Sequence, residues 1–108
     1  MPRWLTRAVA RIRELAAARK VGFTLKARRE LAALELGLDE EDACDVLASL
    51  TAADAAGRLV SATTREWMYL FKPSVAGTIF YVKVVVRNDC IVISLHEDEG
   101  AIDDQEDG

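Results

Sequence analysis

The spacing of apolar residues changes once along this chain, near Arg58, and that change limits the fold more than any single motif does. Upstream, Leu5, Val9, Ile12 and Ala16 recur at three and four residues, which is the stripe of an amphipathic helix, expected from about Trp4 to Arg19. "VGFTLKARRELAALELGLDEEDACDVLASL" then reads as a short extended link and two further helices. Thr24 suits the N-cap of the first and Gly37 its C′ position, while Asp39, with Asp42 three residues on, suits the N-cap of the second. Ala43, Val46, Leu47 and Leu50 form the buried edge of that last helix, and "TAADAAG" is a turn or a short extra helix ending at Gly57. Downstream the period is two, and strands are expected at Arg58–Ala62, Glu66–Phe71, Thr78–Arg87 and Cys90–His96. "KPSVAG" reads as an open loop, and Asn88-Asp89 as a tight hairpin turn. Helices followed by strands predict an α+β domain, with N-terminal helices packed on a C-terminal antiparallel β-sheet. A chain of 108 residues has room for one such domain. Residues 1–96 are expected to form it, and residues 97–108, with seven acids and no base, to be a disordered acidic tail.

Charge is laid down in blocks. Residues 1–29 carry nine Arg or Lys against one acid, residues 30–57 carry eight acids and no base, and the body 1–96 sums to +3 although the whole chain is −4. A mildly basic body permits contact with a phosphate backbone without proving it. Arg3, Arg7 and Arg11 line up four apart on a face of the first helix away from its apolar stripe. "MPRWLTRAVARIRELAAARK" has the arginine-rich, amphipathic character of a transit peptide and fits a docked helix better. No apolar run approaches the roughly 20 residues of a membrane span. Cys44 and Cys90 lie far apart without CxxC spacing, so they are expected to be small buried hydrophobes in a reducing, cytoplasmic setting rather than zinc ligands or a disulfide. Nothing in the sequence calls for a metal or a cofactor.

The final hairpin gathers chemistry. Phe80, Val82, Val84 and Val86 alternate with Tyr81, Lys83, Val85 and Arg87, and Ile91, Ile93 and Leu95 with Val92, Ser94 and His96. With a two-residue turn, Arg87 pairs with Cys90, Tyr81 falls opposite His96 and Lys83 opposite Ser94. Opposed side chains have Cβ atoms about 5 Å apart, so a phenol, the chain's one imidazole and an ammonium are expected to cluster on the face away from the helices.

Four segments, "ELGLDEEDACDVLASL", "EWMYLFKP", "YVKVVV" and "IVISLHE", in this order and spacing resemble the MqsR family of toxins from type II toxin–antitoxin systems, over roughly Thr24 to Glu97. The resemblance implies a RelE-like α+β fold and an endoribonuclease that cleaves mRNA without a metal and is neutralised by a cognate antitoxin. That antitoxin typically has a zinc-binding N-terminal domain that holds the toxin and a helix-turn-helix domain that holds operator DNA. No direct DNA binding is therefore expected of this chain alone. The family's strand tyrosine matches Tyr81, and the lysine of its last strand falls on His96. A second lysine falls near Gly57 or Arg58, of which Arg58 keeps the charge, and the family's glutamine falls on Met68, which makes no useful hydrogen bond.

Metal-free RNA cleavage needs a base for the 2′-OH, an acid for the leaving 5′ oxygen and cations around the phosphorane. A lysine, with an ordinary pKa of about 10.4, is mainly a cation at neutral pH, whereas a histidine at about 6.5 both takes and gives protons. The resulting assignment is His96 as general acid or base, Tyr81 as its proton-transfer partner or a phosphate donor, Arg58 as the phosphate clamp, and Lys83 and Lys72 as RNA backbone contacts. Glu66 is left as an exposed strand residue and Met68 as packing. The alternative is a non-catalytic RNA- or ribosome-binding regulator that keeps the fold. The acidic tail reads chiefly as a solubilising segment, with competition against RNA on the basic face as the further expectation.

Overall fold

The computed structural model describes residues 2–98. Helix α1 (Arg3–Ala17) buries Leu5, Val9, Ile12 and Ala16, the stripe read from the sequence, together with Ala8 and Leu15. Beyond its C-cap, Ala18, stands Arg19, whose left-handed backbone (φ 60) lets Arg19 N–H reach the Ala16 carbonyl at 3.0 Å and Lys20 N–H reach that of Leu15 at 2.8 Å. Glycine usually takes such a place, because a Cβ is disfavoured there. Here the arginine side chain is held in compensation, donating to Asp45 at 2.8 Å, Glu41 at 2.9 Å and the Ala16 carbonyl at 3.0 Å. Both acids belong to α3 (Glu40–Ala48), and Glu40 pairs with Arg28 at 3.4 Å. The basic and acidic sequence blocks thus face one another across the helical layer.

Thr24 and Asp39 cap as expected. Thr24 Oγ1 accepts from Ala27 N–H at 3.1 Å to start α2 (Leu25–Ala33), and Asp39 and Asp42 form a reciprocal capping box at 2.9 and 3.0 Å ahead of α3. Gly37 is not the C′ residue of α2. The helix stops at Ala33, where Leu34 turns extended (φ −68, ψ 131), and Gly37 (φ 67) serves the turn that follows.

The strands are β1 (Val21–Phe23), β2 (Ala55–Val60), β3 (Trp67–Phe71), β4 (Ser74–Val75), β5 (Thr78–Val86) and β6 (Cys90–Glu97). Their order in the sheet is β1-β6-β5-β3-β2, with β4 on β5. The fold is α+β with the helices first, as read. The sheet is mixed rather than wholly antiparallel, because the expected link is strand β1, which pairs parallel with β6 (Val21↔Cys90, Phe23↔Val92). "TAADAAG" makes a 3₁₀ turn at Ala52–Asp54 and then starts β2 three residues ahead of Arg58, with a bulge between Ala55 and Gly57. "KPSVAG" is not an open loop. Ser74 and Val75 pair with Ile79 and Thr78 around Ala76 (φ 53) and Gly77 (φ 84), the two positive φ angles that a type I′ hairpin turn requires.

One face of the sheet carries the core: Phe71, Phe80, Val82, Val84, Cys90, Val92 and Leu95 pack with Ile12, Leu15, Leu47 and Leu50 from the helical side. Val46, expected in that edge, is only half-buried, and Cys44 is buried in its helix instead. Both cysteines are buried free thiols, and desolvation raises each, that of Cys90 to about 12. β6 runs through Glu97, and Asp98 N–H donates to the Ile79 carbonyl at 2.8 Å, so the 96/97 boundary falls within ordered strand. The rest of the expected tail, 99–108, lies outside the described residues. Among the described residues no helix is long and apolar enough to cross a membrane.

Candidate active face

The β5–β6 turn has three residues rather than two. Val86 pairs with Cys90, Val85 with Ile91 and Val84 with Val92, a register that would carry Tyr81 opposite Leu95. Ile93 then bulges out of the ladder, and the pairs beyond it are Lys83↔Ser94, Val82↔Leu95 and Tyr81↔His96. The expected opposition is therefore present, reached by a longer turn and a compensating bulge. The bulge is held from the helical side, where Thr24 Oγ1 donates to the Ile93 carbonyl at 3.2 Å and Thr24 N–H to that of Val92 at 3.1 Å.

Tyr81 and His96 stack, with ring centroids 5.1 Å apart and planes at 15°. The His96 Nδ1–H donates to the Glu97 carbonyl at 2.8 Å, which leaves Nε2 as the proton-accepting nitrogen. Nε2 lies 4.0 Å from Glu30 Oε2, and the imidazole is 42% exposed, open to a ligand. Glu30 comes from α2, which closes the edge of β6 beyond the end of β1. Its Oε1 accepts from Leu95 N–H at 3.1 Å and its Oε2 lies 3.6 Å from Lys26 Nζ. Lys26 also donates to Ser94 Oγ, the one buried polar side chain among the described residues. The sequence places Ser94 opposite Lys83 without a role for it, and singles out neither Glu30 nor Lys26. The four-residue spacing of Lys26 and Glu30 was a visible signal that they share a helix face; the strand edge receiving that face was not.

Lys83 shares this face, between Leu70 and Ser94, and so does Met68, opposite Val85. Lys72 follows the last residue of β3, where the β3–β5 register continued by one step sets it opposite Tyr81, and its ammonium lies 3.6 Å from Asp98. An acid from the start of the expected tail thus already occupies one of the candidate RNA contacts. Arg58 is not brought to this face. It pairs with Tyr69, which pairs with Val84 and in turn Val92, a row facing the helices, while Tyr81 and His96 face the other way. Three strand spacings of about 4.8 Å also separate β2 from β6. The guanidinium is instead clasped between Trp4 and Trp67, 4.3 and 3.7 Å from their ring centres. Alternation cannot place an arginine whose strand carries a bulge just upstream. Glu66, expected as an exposed strand residue, stands just ahead of β3 and is half-buried. Arg87 donates to both of its oxygens, at 2.8 and 2.6 Å, and holds its carboxyl down at about 2.

The family model described as "Motility quorum-sensing regulator, toxin of MqsA" matches residues 6–97. The chain belongs to the MqsR toxin family. It is accordingly a toxin of a toxin–antitoxin pair, and the MqsR family implies an antitoxin partner. No curated protein matches the chain. The match spans α2 and the entire sheet, so every member of the Tyr81, His96 and Glu30 cluster lies within the part shared with other MqsR toxins, whereas Trp4 lies ahead of it.

Proposed function

We propose that this MqsR-family toxin is an endoribonuclease that cleaves mRNA by attack of the 2′-hydroxyl on the adjacent phosphodiester, and that its antitoxin, carrying a zinc-binding domain and a helix-turn-helix, blocks it in the cytoplasm. The observation that supports this most is the Tyr81–His96 stack, with Nε2 of the imidazole facing the Glu30 carboxylate. His96 Nε2 takes the 2′-OH proton as the 2′ oxygen attacks phosphorus. The P–O5′ bond breaks, the Tyr81 hydroxyl supplies a proton to the leaving 5′ oxygen, and the products are a 2′,3′-cyclic phosphate and a 5′-hydroxyl. Glu30, 4.0 Å from the same nitrogen, steadies the imidazolium formed in the first step by its charge, while the Glu97 carbonyl on Nδ1–H orients the ring. Lys83, and Lys72 once released from Asp98, set positive charge against the phosphorane. Arg58 has no part in this step.

The test is incubation of the purified protein, in chelator, with an RNA and with DNA of the same sequence. RNA-only cleavage leaving cyclic phosphate ends is expected, since the route needs the 2′-hydroxyl. His96→Ala is expected to lower kcat by about 10²–10⁴, the range of positioned acid–base groups. RNA binding without cleavage by the wild-type protein would replace this reading with that of a non-catalytic RNA- or ribosome-binding regulator. Met68 at the family's glutamine position and the withdrawal of Arg58 from the face are the observations on that side.

A further inference from the structure

Both tryptophans of the chain stand in one cluster, on the side of the sheet opposite His96. Trp4, in the first turn of α1, stacks on Tyr69 with centroids 5.9 Å apart and planes at 24°, and Arg58 fills the space between Trp4 and Trp67. Trp67 is 42% exposed at the start of β3. Beside the stack runs a groove of about 310 Å³ lined by Trp4, Arg7, Ala8, Arg11, Tyr69 and Val86. Arg3, Arg7 and Arg11 follow one another at four-residue steps, about 6 Å along the helix axis. Arg11 is paired with Glu14, while Arg3 and Arg7 enter no ion pair among the described residues.

Two features identify what such a surface takes. The exposed Trp67 indole, stiffened by the guanidinium that Trp4 backs, offers stacking area with little conformational entropy left to lose, and the arginine row supplies positive charge along one edge of the cluster. Single-stranded nucleic acid presents the matching pair, unpaired base faces and a phosphate backbone. A duplex hides its base faces and fits only the charge. An apolar protein partner would cover Trp67 but leave the arginines on α1 unmatched.

We propose that the Trp4–Arg58–Trp67 stack and the Arg3/Arg7 row form a second RNA subsite, which holds a single-stranded segment of the transcript by base stacking and phosphate contacts, independent of sequence. The proposal rests on this protein binding RNA, as argued above, but not on cleavage. It gives Arg58 a role in RNA binding away from the reacting phosphate.

The two tryptophans are the only ones in the chain, so intrinsic fluorescence reads this surface and not the His96 face. The full-length protein is titrated with an uncleavable 2′-O-methyl octamer. Saturable quenching is expected, absent with the same octamer in duplex form. Trp67→Ala should weaken binding by about tenfold, within the range for loss of one stacked base. Arg7→Ala changes an exposed side chain and leaves the core intact, so it tests the proposal even if Trp67→Ala folds poorly. It should lower the slope of log affinity against log salt by about 0.7, the single-strand value for one phosphate contact. No quenching, or quenching and salt slope unchanged by Arg7→Ala, overturns the subsite, as does quenching that requires the antitoxin rather than RNA. Wild-type cleavage without quenching defeats this proposal and leaves the ribonuclease reading standing; quenching without cleavage does the reverse.

Discussion

Glu30 is the residue on which the candidate face most depends for both stability and chemistry, and the two contributions separate experimentally. Its carboxylate receives Leu95 N–H from a residue only 3% exposed, so Glu30→Ala leaves a strand amide without a partner in a dry place. An unsatisfied buried donor costs about 1–3 kcal/mol, to which the exposed pair with Lys26 adds at most about 1 kcal/mol. A loss of about 2 kcal/mol is expected for Glu30→Ala. Glu30→Gln keeps an acceptor for Leu95 but makes it neutral, and since charge-assisted bonds are roughly twice as strong as neutral ones, about 1 kcal/mol is expected. With a urea m-value of about 1–3 kcal/mol/M, the alanine variant should unfold at a midpoint lower by roughly 1 M and the glutamine variant at about half that shift. Cleavage ranks the two differently. Both variants remove the charge 4.0 Å from His96 Nε2, so both should lower kcat, with KM little changed. The reasoning is refuted if the two variants match wild type in urea, or if Glu30→Gln cleaves RNA at the wild-type rate.

Three further outcomes follow from the contacts described. Arg58→Ala should leave kcat unchanged and lower Tm by several degrees, because two exposed cation–π contacts at about 0.5–1 kcal/mol each are lost and about 1 kcal/mol shifts a domain of this size by roughly 4–8 °C; a collapse of kcat in single-turnover cleavage would return Arg58 to the reacting phosphate. The Glu66 carboxyl is held at about 2 against an ordinary 4.5, so its pair with Arg87 stabilises the fold fully above about pH 4.5 and loses that effect as pH falls toward 2. The difference in urea midpoint between wild type and Glu66→Gln should therefore shrink over that window, and a difference that is flat through pH 3 contradicts the pairing. Deleting Ile93 removes the bulge while sparing every pair on either side of it, so ring-to-ring NOEs between Tyr81 and His96 should persist; their disappearance would show that the bulge itself sets the stack.

What could be read from the sequence was what repeats. The apolar stripe of α1, the Thr24 and Asp39 caps and the alternation of the last two strands each involve neighbours within a few residues, where propensity and spacing decide the outcome. The Tyr81–His96 opposition was also anticipated, yet through a turn one residue too short whose error Ile93 cancels; agreement at one pair did not mean agreement along the hairpin. What could not be read depends on distant partners. Strand β1 has three residues, too few to show a period, and is a strand only because β6 lies alongside it. Glu30 gained its meaning from the strand edge that α2 meets. Arg58 looked suitable as a clamp because its charge was legible while the row in which it sits, from Tyr69 to Val92, was not.

The Thr24 N–H, which donates to the Val92 carbonyl at 3.1 Å, fixes where the hairpin is measured from. Strand β6 is indexed at mid-length by the start of α2, and the tip at Arg87–Asp89 hangs beyond that index mark. A residue gained at the tip lengthens the turn, because Cys90–Val92 are paired on both sides, with β1 and with β5, and the end carrying His96 does not register it. Sequence drift at Asn88 and Asp89 should therefore be nearly silent, whereas a change at Thr24, far from the imidazole in sequence and outside every strand, reaches the chemistry directly.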